Sequence, residues 1–145
     1  MTIQHLVVSL HVVAAVFVLG PLMFAISATP RAIRSGGAAT LRFLVATTRV
    51  YAYGSIIVLL LGLGAVRSKY HMSYGQTWVW VSIVLFVVAF GLITGVVLPA
   101  QRRALRLLDE GASATDQLPA IGAGAGIASV LIAVIVFLMI YQPGR

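Results

Sequence analysis

Long apolar runs separated by short polar stretches dominate the chain. A helix needs about 20 apolar residues to cross the ~30 Å hydrocarbon core of a bilayer. Four runs meet that standard, over residues 3–28, 50–66, 77–98 and 121–141. The second is the shortest, but Thr47 and Thr48 extend it, with Arg49 snorkelling toward the headgroups. None of the runs alternates apolar and polar residues as a barrel strand would. In lipid a continuous apolar run satisfies its own backbone only as a helix. The pattern therefore predicts an all-α, polytopic four-helix bundle forming a single integral membrane domain over residues 1–145.

The segments between the runs are short. Gly36-Gly37 punctuates the first, and LRFLVATTR after it has the composition to start the second helix early. Beyond the third run, AQRRALRLLDEG places Ala100, Ala104, Leu105 and Leu108 on one helical face. That reads as an amphipathic extension along the membrane surface, ended by Gly111 and followed by the polar turn ASATDQLP. Pro21 and Pro99 each predict a kink, because proline removes a helical hydrogen bond and crowds the preceding turn.

Composition sharpens the class. The chain is 61% hydrophobic and 9% charged, against roughly 45–50% and about 25% in soluble domains. A water-exposed globule and a disordered chain are both excluded. The net charge of +7 would suggest nucleic acid on a soluble protein; here it reads as topology, with no nucleic-acid partner. Arg31, Arg34, Arg42, Arg49, Arg102, Arg103 and Arg106 fall between runs one and two or three and four. Only Arg67, Lys69 and Arg145 fall on the opposite side. The positive-inside rule then places both termini outside and the longer basic loops in the cytoplasm. Tyr70, Tyr74, Trp78, Trp80 and Tyr141 would form the outer aromatic belt, with Tyr51 and Tyr53 near the inner one. MTIQH lacks the cationic start of a secretory signal, so the first run reads as a retained helix.

Candidate chemistry is sparse. Cysteine is absent, which removes disulfides, thiolate metal sites and thiol nucleophiles. No carboxylate enters a span. Asp109, Glu110 and Asp116 cluster beyond the third run and read as solvated helix-end charges. No catalytic or phosphate-loop pattern occurs, which argues against an enzyme.

The three histidines, His5, His11 and His71, all fall toward the outer side. An ionisable residue within a span is costly and warrants a functional hypothesis, and His11 is that residue. His5 and His11 lie six residues apart, about 240° around a helix, so one ion does not readily bridge them. Either could pair with His71 if the short outer loop folds inward. An axial haem b, or less readily a copper site with Met72 or Met139 nearby, then becomes possible. The competing reading makes His11 a structural residue that hydrogen-bonds a neighbouring helix through Ser or Tyr. Only the first span carries histidine, so single-histidine ligation or completion by a partner also stays open. Arg49 could meet a lipid phosphate, a haem propionate or a quinone headgroup, or simply snorkel.

Glycine is frequent on the spans: Gly54, Gly62 and Gly64; Gly91 and Gly95; Gly122, Gly124 and Gly126. Helices in lipid associate by close approach at such small residues. The faces serve either packing within the bundle or docking of a second copy or larger membrane complex.

The first run, LHVVAAVFVLGPLMFAISATPRAIR, and the end of the third, GLITGVVLPAQRRAL, resemble a family of uncharacterised bacterial integral membrane proteins. Together they cover about a quarter of the chain. The resemblance implies four spans in a bacterial cytoplasmic membrane. More distantly, the first helix is similar to that of copper-resistance protein D-like and b-type cytochrome-like membrane proteins, where an early histidine is a ligand candidate. His11 would inherit that role. Two functions follow as expectations: a non-catalytic accessory or oligomeric subunit of an envelope or respiratory assembly, and a haem b-binding electron carrier.

Overall fold

The structure, a computed structural model, describes residues 2–70 and 77–141, without the side chains of residues 67–70. Its main elements are α1 (Ile3–Arg34), α2 (Ala38–Tyr70), α3 (Thr77–Leu92), α4 (Leu98–Asp109) and α5 (Leu118–Tyr141). A π-helical turn, Ile93–Val97, carries α3 into α4, and a 3-10 turn, Thr115–Gln117, leads into α5. No strand occurs among the described residues. Four stretches are long and apolar enough to cross a membrane: Ile3–Arg34, Ala38–Val66, Thr77–Asp109 and Thr115–Tyr141.

The helices outrun the apolar runs. α1 continues past residue 28 to Arg34, and α2 begins at Ala38 rather than near residue 50. Hydropathy marks what lipid covers, whereas helix ends are set by caps. Gly36 has φ +70°, a backbone that side chains disfavour. Its N–H donates to the Ile33 carbonyl and that of Gly37 to the Ala32 carbonyl, each at 3.1 Å. This two-bond closure satisfies the last carbonyls of α1 and reverses the chain at once. The same closure recurs at Gly111 (φ +76°). There Gly111 donates to Leu108 at 3.1 Å and Ala112 to Leu107 at 2.8 Å.

The expected irregularity at Pro99, a kink, takes the specific form of a π turn. Proline cannot donate to the carbonyl four residues back, that of Gly95. The chain responds with one wider turn, in which the Leu98 N–H donates to the Ile93 carbonyl. Such a π turn accommodates proline without ending the helix. Pro99 then sits in the first turn of α4. α1 runs as helix through both Pro21 and Pro30.

α1 packs chiefly on α2 and α3 on α5; contacts of α5 with α1 and of α4 with α2 close the bundle. Burial is lopsided. The buried residues of α1 are Leu22, Ala25, Ile26, Thr29, Ala32 and Ile33, all beyond Pro21. All but Thr29 join Leu41 and Leu44 of α2, Val97, Ala100, Ala104 and Ile121 in the main core. In the first half of α1, Leu6, Leu10, Val12, Val13, Val16 and Phe17 are exposed. A smaller cluster of Val66, Trp78 and Val79 fills the other end. The bundle is thus tight at the end carrying the short turns and loose at the end carrying the termini.

Candidate functional site

The loose end contains a cavity of about 100 Å³ among α1, α2, α3 and α5. Its lining is almost wholly apolar and includes Ala15, Val58, Trp78, Phe86, Ile132 and Met139. His11 and Ser82 supply polar atoms. His11 Nδ1 lies 3.0 Å from the Val58 carbonyl oxygen on α2. A carbonyl only accepts, so Nδ1 carries the proton and the neutral ring leaves Nε2 as an acceptor. Gly62, one turn beyond Val58, permits this approach. A Cβ there would stand 2.9 Å from His11 Cε1. Ser82 Oγ donates to the Trp78 carbonyl at 2.8 Å within α3.

The structural reading of His11 therefore finds a partner, but a different one. The bond goes to a backbone carbonyl exposed by glycine, not to Ser or Tyr. The same bond is the usual way to fix a histidine tautomer for ligation through Nε2. Among the described residues no group of three or more His, Asp or Glu could hold a metal. The cavity is also well below the roughly 300–1,000 Å³ of pockets that enclose cofactor-sized ligands.

The other candidates stand apart. His5 is exposed near the start of α1, with Nδ1 2.8 Å from Thr2 Oγ1. It does not line the His11 cavity. Arg49 is exposed, well inside α2 because that helix starts early, and does not line the His11 cavity. His71 and Met72 lie outside the described residues.

Sequence reasoning missed the polar core of the tight end. Gln101 of α4 is fully buried, and its Nε2 donates to Thr29 Oγ1 at 2.7 Å and Thr48 Oγ1 at 3.1 Å. Both hydroxyls send their own protons to carbonyls one turn back, those of Ala25 and Leu44. One amide thus ties α1, α2 and α4 together. Gln101 Oε1 is buried without a partner among the described residues. The available signal was that Gln101 is the uncharged one of three polar residues between Ala100 and Ala104 on the amphipathic segment. Asp109, expected to be a solvated charge, instead takes Arg42 Nη2 at 2.8 and 3.0 Å across the two turns. Both partners are about half exposed, so the pair contributes little.

The glycines divide by role. A Cβ at Gly124 would meet Val97 Cγ2 at 2.6 Å, whereas Gly91, Gly95, Gly122 and Gly126 have nothing within 4 Å. Gly62 and Gly124 serve packing inside the bundle. Gly91 and Gly95 face away from it.

A family model described as a predicted integral membrane protein, DUF2269, matches residues 5–143, and the chain belongs to that family. No curated protein and no solved structure matches the chain.

Proposed function

Starting from membership of that integral membrane family, we propose a non-catalytic subunit of a cell-envelope or respiratory assembly. A second copy of the chain is its contact at the end of α3 and the π turn after it. The observation that carries this reading is the outward, unpartnered face of Gly91 and Gly95, in the spacing that lets membrane helices approach closely. Gly62 and Gly124 are taken up inside the bundle, while Gly122 and Gly126 repeat the open spacing on α5. The chain resides in a bacterial cytoplasmic membrane with the tight end inside. That orientation is supported by Arg31, Arg34, Arg42, Arg102, Arg103 and Arg106 gathering there.

The test is the mass of the protein in nanodiscs. The native chain is expected to give a dimer or larger assembly, and Gly91→Ile with Gly95→Ile a folded monomer. A native monomer, or an unchanged mass in the variant, overturns the reading.

The haem b or copper alternative, drawn from the distant likeness to copper-resistance protein D-like and b-type cytochrome-like proteins, has His11 in its favour. The dimensions of the cavity and the single nitrogen it offers weigh against it. The expected absorption spectrum of the purified protein has no Soret band; one lost in His11→Ala would reverse this judgement.

A further inference from the structure

The cavity at the loose end has a chemical sidedness that its apolar lining conceals. His11 and Ser82, which share its wall with the Trp78 indole, have already given their protons away. His11 Nδ1–H is held by the Val58 carbonyl and the Ser82 hydroxyl by the Trp78 carbonyl. What both offer to the cavity is a lone pair. His11 Nε2 has no hydrogen-bond partner among the described residues. An acceptor left unmet inside a membrane span is costly. The matching occupant therefore brings a proton donor on an otherwise apolar body.

Size and shape narrow the class further. A cavity of about 150 Å³ lined by aliphatic and aromatic side chains admits one benzene ring. The present cavity, about 100 Å³ and open on one side, takes little more than one ring, with any tail leaving between the helices. Trp78 and Phe86 supply aromatic walls.

We propose that this cavity binds the head of a membrane-dissolved aromatic alcohol, a phenol or a quinol, whose hydroxyl donates to His11 Nε2. The site distinguishes donors from acceptors. A phenol is held more tightly than its methyl ether, and a quinol more tightly than the corresponding quinone. Gly62 is part of the recognition, because it lets α2 hold the imidazole in the tautomer that leaves Nε2 bare.

The experiment compares 4-propylphenol with 4-propylanisole on the full chain in nanodiscs. Binding is followed by thermal shift and by the imaginable contact itself, the imidazole ¹⁵N resonance of His11. The phenol is expected to bind about ten-fold tighter, the factor that one hydrogen bond to an unmet acceptor supplies. It should also move the Nε2 resonance, and the ether should not. In His11→Leu the two probes should bind equally. Ala15→Phe, which fills the cavity and leaves His11 in place, should abolish binding of both; it serves as the check if His11→Leu does not fold. Equal binding of the two probes to the native chain, no binding of either, or a phenol preference that survives either variant overturns the proposal. Equal, weak binding would mark the space as a crevice for lipid acyl chains.

Discussion

The imidazole of His11 lies over Gly62, where a Cβ would stand 2.9 Å from its Cε1. From there its Nδ1 reaches the Val58 carbonyl at 3.0 Å. The two residues act as one device: the glycine uncovers a helix carbonyl and the histidine uses it. Gly62→Ala is expected to lower stability by about 1 kcal/mol, the scale of interhelical hydrogen bonds in membranes. In a His11→Ala background the same change should cost nothing measurable. Thermal unfolding of the four variants as a double-mutant cycle checks this, and additive losses would separate the pair.

A second close approach lies at the π turn. The turn that accommodates Pro99 places Val97, fully buried, against Gly124 with room for hydrogen alone. Valine is stiff on a helix and yields poorly. Gly124→Ala should therefore destabilise by about 1–3 kcal/mol, as overpacked cores do. Gly122→Ala on the same helix, where a Cβ would meet nothing within 4 Å, should stay within about 0.5 kcal/mol of the native chain. Urea or thermal denaturation of the pair distinguishes the two sites.

Gln101 yields a contrast of another kind. Its amide donates twice, yet its own carbonyl is buried without a partner among the described residues. Gln101→Met removes the orphaned oxygen and keeps the volume, while Thr29 and Thr48 still donate to their helix carbonyls. That variant should unfold within about 1 kcal/mol of the native chain. Gln101→Ala leaves a cavity where α1, α2 and α4 meet and should cost about 2 kcal/mol or more.

The orientation has its own check, because the chain has no cysteine. Cysteine placed at exposed Ser113 is expected to resist a membrane-impermeant thiol reagent in intact cells. Cysteine at exposed Thr2 should react. The reverse pattern would invert the topology.

The spans were legible because a bilayer imposes length and apolarity on any helix that crosses it. The helix ends at Gly36 and Gly111 and the early start of α2 were legible too, but not the form of the closures. The closures at Gly36 and Gly111 depend on positive φ, which glycine permits without requiring, and α2 starts where the closure ends. His11 stood out as an ionisable residue in a span, but its partner was invisible. Any residue presents a carbonyl, and which one is bare depends on a glycine from another helix. Gln101 hid for a related reason. On an amphipathic segment a glutamine reads as surface, and only the approach of Thr29 and Thr48 makes it interior.

The most direct test of the subunit reading is disulfide cross-linking in native membranes with single cysteines at Gly91, Gly95 or Gly122. A symmetric α3 contact brings equivalent backbones within the roughly 4.4–6.8 Å between Cα atoms that a disulfide spans. The account predicts covalent dimers from the Gly91 and Gly95 positions and monomer from Gly122. Monomer at all three positions, or a dimer through Gly122 alone, would contradict it.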